Sequence, residues 1–167
     1  NRIHLVMRRS EDEGKTWQHA QNLIQFPGNA QAIDSCMVQD RETGRIFLLT
    51  STYPENVTVF TSDSGIGYVT EDGCAKRILV DDANRRYLVQ PDGRVTRDGQ
   101  CTGFTASKDG TELYKNGEWI GYTYTEKCPL RVPLTSFLIM LYSDDDGKTW
   151  SEPIDLNPLL KKEWMHF

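Results

Sequence analysis

The stretch that decides the fold runs from residue 143 to residue 150 and reads SDDDGKTW. A second copy, SEDEGKTW, occupies residues 10 to 17, so the two octapeptides begin 133 residues apart. Each copy is acidic, has a glycine at its fifth position and ends in a tryptophan. An octapeptide that recurs at such a distance is typical of a repeat architecture rather than of one local site.

The acidic residues of the octapeptide do not have the spacing of a calcium-binding loop. An EF-hand loop requires alternating oxygen ligands, a glycine at its sixth position and a bidentate acid at its end. If Asp144 is taken as the first ligand, Gly147 falls at the fourth position, and no other frame restores the pattern. We therefore expect no metal and no other cofactor at either copy.

The same residue types are typical of a closed turn. A serine and an aspartate two residues apart can accept hydrogen bonds from nearby backbone N–H groups. Gly14 and Gly147 allow the positive φ that such a turn requires. Trp17 and Trp150 are expected to begin the next strand, and we expect each ring to be buried between sheets. The sequence therefore predicts two structural turns without a catalytic role.

The bulk composition disfavours several classes of function. The 167 residues include 38% apolar and 26% charged residues and have a net charge of −5. This charge disfavours nucleic acid, because proteins that bind it usually carry a basic stripe. The longest apolar run, Phe137–Leu141, is far too short for membrane insertion. Four dispersed cysteines leave open either disulfides or free thiols.

Short segments rich in β-branched and aromatic residues, separated by glycine turns, predict an all-β fold. The predicted strands are Ile3–Arg9, Ile33–Gln39, Arg45–Ser51, Asn56–Thr61 and Ser136–Tyr142. Turns are predicted at Pro91–Gly93 and at Asn116–Gly117, a pair that favours a type I′ hairpin. One helix is predicted, with Asn157 as its cap, Pro158 at its first position and Leu159–Trp164 following without a breaker.

The distance between the octapeptides predicts an insertion. One blade of a β-propeller takes about 40–50 residues, so about 85 residues are surplus if the copies mark successive blades. We predict that residues 1–62 and 134–167 form partial blades and that residues 63–133 form an inserted β-rich domain. The tyrosine and tryptophan residues of the insert form either its core or a platform on which sugars stack.

The pattern S-x-D-x-G-x-T-W resembles the Asp-box of bacterial sialidases (neuraminidases). The matched residues are Ser10, Asp12, Gly14, Thr16, Trp17, Ser143, Asp145, Gly147, Thr149 and Trp150. The runs MRRSEDEGKTW, AIDSCMVQDRETGRIFLL, MLYSDDDGKTW and KKEWMHF are also similar to secreted bacterial sialidases that carry an inserted domain. The resemblance extends over essentially the whole chain and is least specific in the insert. It implies that the chain is an internal part of a six-bladed β-propeller.

The resemblance implies an exo-α-sialidase, which removes terminal sialic acid with retention of configuration. In that family three arginines hold the substrate carboxylate, a tyrosine activated by a glutamate is the nucleophile, and an aspartate is the acid/base. The Arg-Ile-Pro motif of the first arginine does not occur here, and Arg131-Val132-Pro133 lies at the wrong place. We therefore expect no catalytic residue in this segment, and we expect the segment alone to be inactive.

The resemblance assigns four residues of this chain to substrate binding. Asp34 matches an aspartate that contacts the sugar near its N-acetyl and 4-hydroxyl groups, as suits a carboxylate acceptor. Ile33, Val59 and Phe60 match apolar positions around the acetyl methyl group. Alternatives stay open: Asp34 as a solvated or turn-closing carboxylate, and the three apolar residues as strand packing.

Partners and location also follow from the resemblance. Sialylated glycans are the expected substrates of the longer protein, at a secreted or cell-surface location in a bacterium. Neither nucleic acid nor membrane insertion is expected. Unpaired strand edges in an isolated segment predict self-association. Two other functions remain: an Asp-box propeller without sialidase activity, and an insert that itself binds glycans.

Overall fold

The computed structural model describes residues 3–63 and 65–160. Within these residues the strands are β1 Leu5–Met7, β2 Gln21–Ile24, β3 Gln31–Gln39, β4 Ile46–Tyr53, β5 Tyr68–Glu71, β6 Cys74–Val80, β7 Arg86–Val89, β8 Arg94–Arg97, β9 Gln100–Ala106, β10 Glu112–Lys115, β11 Glu118–Tyr122, β12 Phe137–Ser143 and β13 Ile154–Asp155. One turn of 3₁₀ helix follows at Asn157–Leu159. The predicted all-β class is confirmed. No helix in these two ranges is long and apolar enough to cross a membrane.

The strands form three antiparallel sheets. Strands β1 and β2 form a two-stranded sheet, and a four-stranded sheet has the order β13-β12-β4-β3. Strands β5 to β11 form a seven-stranded meander in which each strand pairs with the next one along the chain. Asn116 and Gly117 both have positive φ, 51° and 85°, so the predicted type I′ turn between β10 and β11 is confirmed.

The seven-stranded sheet lies within the predicted insert. The chain leaves and re-enters the four-stranded sheet at neighbouring points, because Asp63 and Thr135 form a parallel bridge. The Asp63 N–H donates to the Leu134 carbonyl at 2.6 Å. Buried apolar side chains of both sheets nevertheless form a continuous cluster. A separate domain over residues 63–133 therefore stays a prediction.

The alternation of buried and half-buried side chains along the strands shows where the core lies. In β12 the side chains of Phe137, Ile139 and Leu141 are at most 5% exposed, and the residues between them are half-buried. In the seven-stranded sheet Val95 and Leu113 are fully buried. Each such side chain contributes about 1.5–3 kcal/mol by leaving water. Burial of one face of each sheet thus holds the sheets together.

A buried ion pair connects the seven-stranded sheet to β13. Arg77 of β6, with a side chain only 7% exposed, donates to a carboxylate oxygen of Asp155 at 2.7 Å. The hydroxyl of Tyr68 in β5 donates to the same oxygen at 2.9 Å. The Arg77 guanidinium also lies 5.1 Å from the Tyr68 ring and 5.2 Å from the Phe137 ring. We call Tyr68, Arg77 and Asp155 the interlock.

The predicted strand over residues 56–61 is wrong. Asn56 has a φ of 62°, and the N–H groups of Thr61 and Ser62 donate to the Thr58 carbonyl at 3.1 and 2.9 Å. The Thr61 hydroxyl accepts the Thr58 N–H at 2.9 Å. Local threonine hydrogen bonds therefore close a turn, which overrides the strand propensity of Val, Thr and Phe.

The predicted helix is, in the described residues, only a single 3₁₀ turn. The 3₁₀ turn ends at Leu159, and Leu160 is already extended, with a φ of −78° and a ψ of 142°. Asn157 is the first residue of the turn rather than its cap, and its buried amide instead binds Leu138 N–H and two carbonyls at 2.8–2.9 Å. The rest of the predicted helix, residues 161–164, lies outside the described residues.

Candidate functional site

Both octapeptides close into the same turn. In the first copy the Ser10 hydroxyl oxygen accepts the Gly14 N–H at 2.7 Å. The two carboxylate oxygens of Asp12 accept the Thr16 N–H at 2.8 Å and the Thr16 hydroxyl at 2.7 Å. The equivalent distances in the second copy are 2.8, 2.8 and 2.7 Å. One sequence pattern thus gives one hydrogen-bond pattern in two separate places.

In both turns these hydrogen bonds use the carboxylate oxygens of the aspartate as acceptors. The hydroxyl and then the N–H of Thr16 lower the pKa of Asp12 to about 2. The N–H and then the hydroxyl of Thr149 lower the pKa of Asp145 to about 2. Both carboxylates are therefore ionised acceptors at neutral pH, and their oxygens are directed into the turn. This geometry favours a structural role over proton transfer.

The tryptophans of the two turns differ in exposure. Trp150 is half-buried against the core, with its indole N–H enclosed, whereas Trp17 is 59% exposed. The prediction of a buried ring is therefore wrong for Trp17. A methyl group added to Gly147 would meet Met7 and Arg9, but at Gly14 it would meet only Trp17 within 4 Å. Met7 at the end of β1 and Arg9 just after it thus lie against the second turn, and no equivalent side chain of the described residues lies within 4 Å at Gly14.

Removing the serine hydroxyl is expected to affect the two turns unequally. Ser143 is 2% exposed, and its hydrogen bond with the Gly147 N–H is buried, whereas the equivalent bond of Ser10 is exposed to water. Ser143→Ala is expected to destabilise the chain by about 1–3 kcal/mol, because it leaves a buried N–H without an acceptor. Ser10→Ala is the matched control and should have a smaller effect. Urea unfolding of both variants measures the difference, and equal losses would contradict it.

The structure contains a shortened relative of this turn that the sequence analysis missed. The Ser107 hydroxyl donates to Asp109 at 2.5 Å, and the Thr111 hydroxyl donates to the other oxygen of that carboxylate at 2.8 Å. The Glu112 N–H donates back to Ser107 at 2.9 Å. The sequence signal was S-x-D-G-T at residues 107–111, in which two spacer residues of the octapeptide are missing.

Asp34 lies at an irregular point of β3. The register between β3 and β4 shifts between Ile33 and Cys36, and Asp34 has a left-handed φ of 54°. Its side chain is exposed, and burial together with the Asp34 charge raises the pKa of Tyr53. A bulge of this kind redirects a side chain, and strained backbone is enriched at functional sites. The structure thus presents a carboxylate to solvent, which is compatible with the substrate-binding prediction and with a solvated side chain.

Val59 and Phe60 lie on the turn that follows β4. Val59 is 52% exposed and Phe60 is 95% exposed, so strand packing is excluded for both. Ile33 is half-buried within β3, where strand packing remains open. Gln31 of β3 pairs with Tyr53, the last residue of β4. The start of β3 and the beginning of the turn therefore lie at the same end of the four-stranded sheet. A shared pocket of the four residues stays a prediction.

Two cavities lie elsewhere, on the seven-stranded sheet. One of about 360 Å³ is bordered by Arg77 and Asp109. The other, of about 670 Å³, is bordered by Lys76, Arg86 and Arg94. Neither of these two cavities is lined by a predicted substrate-binding residue.

Comparisons with known proteins agree on one kind of enzyme. No family model matches the chain. Over its full length the chain is 24% identical to the anhydrosialidase of Macrobdella decora, in an alignment of 226 positions that covers 28% of that protein. The chain therefore spans less than a third of this relative.

Solved structures of sialidases have the same fold. The intramolecular trans-sialidase from Ruminococcus gnavus, in complex with oseltamivir carboxylate, matches with a TM-score of 0.80 at 22% identity, over 97% of this chain and 43% of that one. The NanB sialidase from Streptococcus pneumoniae matches with a TM-score of 0.79 at 19% identity, over 93% and 31%. The leech intramolecular trans-sialidase with 2,7-anhydro-Neu5Ac matches with a TM-score of 0.80 at 20% identity, over 96% and 31%. The predicted resemblance is thereby confirmed: the chain has a sialidase-type fold and is similar in sequence to a sialidase along its whole length.

Proposed function

We propose that the chain is part of an exo-α-sialidase that hydrolyses terminal sialic acid from glycoconjugates, at a secreted or cell-surface location. The observation that carries this proposal is the match of 97% of the chain, with a TM-score of 0.80, to an intramolecular trans-sialidase. Sequence similarity to an anhydrosialidase over the full chain supports it. The two turns closed by Asp12 and Asp145 support the same proposal, because they carry the Asp-box pattern.

The reaction proposed for the longer protein is a displacement with retention through a tyrosine nucleophile. Sialidases with such a nucleophile are exceptions to the two-carboxylate rule of glycosidases. A neutral phenol activated by a glutamate avoids bringing a second negative charge towards the anionic substrate. Arginine suits the clamp because its planar guanidinium binds a carboxylate in a bidentate manner. In this proposal the nucleophile and the clamp lie outside residues 1–167.

The role proposed for this chain is to form one wall of the sugar pocket. The exposed carboxylate of Asp34 would accept the N–H of the acetamido group and a sugar hydroxyl. The Phe60 ring, 95% exposed on a hydrogen-bonded turn, is available for the acetyl methyl group. Val59 and Ile33 would extend this apolar contact. The left-handed backbone of Asp34 and the position of Phe60 on a turn support the assignment, because such backbone and such connecting segments are enriched at binding sites.

Release of a fluorophore from a sialoside tests the proposal. The longer protein is expected to turn over the sialoside, and residues 1–167 alone are expected to be inactive. Asp34→Ala in the longer protein should raise KM or lower kcat/KM by about tenfold, the loss expected for one charge-assisted contact. Asp40→Ala is a matched control, because Asp40 lies in the loop after β3 and closes its own turn through Thr43.

Three outcomes would contradict parts of the proposal. Turnover by residues 1–167 alone would place the chemistry inside this chain. Unchanged kinetics of Asp34→Ala would remove Asp34 from the pocket. An inactive longer protein that still binds sialosides would favour the alternative, an Asp-box protein without hydrolytic activity.

A further inference from the structure

The hairpin β10–β11, at the edge of the seven-stranded sheet, has an open outer face. Its inner face is buried: Leu113 is fully buried, and a methyl group added to Gly121 would lie 3.6 Å from the Cys128 sulfur. On the outer face Glu112 pairs with Tyr122 and Tyr114 pairs with Trp119. We call these four residues the hairpin patch. Trp119 is 52% exposed within it.

A β-bulge creates this patch. Trp119 and Tyr122 are three positions apart, so regular alternation would place them on opposite faces of the strand. The register shift between Leu113 and Tyr114 leaves Ile120 without a partner, which returns both rings to the outer face. Their centroids are 5.3 Å apart with an interplanar angle of 73°. The Trp119 ring is therefore supported edge-on by Tyr122 rather than lying loose on the surface.

The centre of the patch is polar. The Tyr114 hydroxyl donates to one carboxylate oxygen of Glu112 at 2.6 Å. This hydrogen bond, with burial as a second cause, raises the pKa of Tyr114, so the phenol stays protonated at neutral pH. The carboxylate retains free acceptor capacity, because an ionised carboxylate has about four lone-pair sites. Glu112 is the one charged residue that alternation places on the outer face of β10 and β11.

We propose that the hairpin patch binds the ring of a neutral hexose, as a glycan site separate from the four residues of the proposed sialic-acid pocket. The C–H face of a pyranose would stack on the exposed Trp119 ring, and its hydroxyls would donate to Glu112. A purely apolar protein surface does not fit, because it would bury the Glu112 charge without donors. A sialic-acid carboxylate does not fit either, because it would face a like charge. The inference does not depend on the sialidase proposal.

The test is a titration of the ¹⁵N-labelled chain, followed by NMR of the indole N–H signals of its four tryptophans. Lactose is the neutral probe, and free sialic acid is the anionic probe. Lactose is expected to shift the Trp119 signal in a saturable manner at millimolar concentration, and free sialic acid is not. Trp119→Ala should weaken lactose binding by about tenfold or more, as removal of an aromatic anchor does.

Two further variants test whether lactose binding depends on the hairpin patch. Trp17→Ala removes another half-exposed indole, 59% exposed, that is not part of the patch, and it should bind lactose like the unaltered chain. Glu112→Gln keeps the shape of the side chain and should weaken binding by about threefold to tenfold. The proposal is overturned by the absence of a Trp119 shift with lactose, by equal affinity of Trp119→Ala, or by a response to free sialic acid alone. The remaining N–H signals report whether each variant is folded.

Discussion

Arg77→Met is expected to lower the free energy of unfolding by about 3–5 kcal/mol, because it breaks the buried pair with Asp155 from one side. The Asp155 side chain is 14% exposed and would keep its charge with only Tyr68 and a backbone N–H as donors. The guanidinium also donates to Tyr124 at 3.4 Å and fills space between two rings. Charge and packing are therefore lost together.

Urea unfolding of the two single variants, the double variant and one control separates these contributions. Asp155→Leu alone should also be strongly destabilising, because it leaves the buried Arg77 guanidinium uncompensated. The double variant Arg77→Met/Asp155→Leu should lose much less than the sum of the two single losses, because no buried charge then remains. Arg94→Met is the control, because its pair with Asp92 is 63% and 50% exposed, and it should change little. Additive single losses would contradict the interlock.

Phe137→Ala is expected to destabilise the chain by about 3–5 kcal/mol, the range for deletion of a buried phenylalanine ring. Phe137 is fully buried, and its ring lies 5.4 Å from the Tyr124 ring. The neighbouring backbone is close as well, since a methyl group on Gly67 would come within 2.6 Å of the Phe137 ring. Such close packing leaves the site little freedom to collapse around a cavity.

The matched control is Phe60→Ala, which removes the same ring from a position that is 95% exposed. Its effect on unfolding should stay within about 0.5 kcal/mol. Calorimetric or urea unfolding of both variants gives the comparison. A small loss for Phe137→Ala would show that the two sheets do not depend on a shared core. A large loss for Phe60→Ala would mean that this ring is packed in solution and unavailable to a ligand.

Much of the fold could be predicted because it follows from local rules. The strand ranges around Ile33–Gln39 and Ser136–Tyr142 agree with β3 and β12 to within two residues, since both are runs of β-branched and apolar residues. The turn at Asn116–Gly117 follows from the positive φ that Asn and Gly tolerate. In each case local residue preferences were sufficient to predict the element, although not the bulge at Asp34 within β3.

The sequence-based predictions were wrong where longer-range contacts or side-chain hydrogen bonds determine the backbone conformation or the exposure of a side chain. Residues 56–61 have strand composition, but Thr58 and Thr61 bind each other's backbone and close a turn. Asn157 has the sequence of a helix cap, but its amide is used by three backbone groups of distant segments. The exposure of Trp17 depends on which side chains reach its turn, and the octapeptide itself carries no such information.

The candidate site was predictable only in part. The resemblance named Asp34 by position, and its bulge and left-handed backbone came from the structure. The hairpin patch could not be read from the sequence, because Trp119 and Tyr122 share a face only through the bulge at Ile120. Pattern reasoning with a strict period of two places those rings on opposite sides.

The bridge between Asp63 and Thr135 has a consequence for how the length of the chain can vary among related proteins. Because the seven-stranded sheet leaves and returns at adjacent points, its length can grow without altering the order of β13, β12, β4 and β3. Removal of the seven-stranded region would in contrast disrupt contacts, because Tyr124 lies against Phe137 and Arg77 pairs with Asp155. Lengthening of the seven-stranded sheet is therefore compatible with the connectivity of the chain, whereas its loss would expose the core that it shares with the four-stranded sheet.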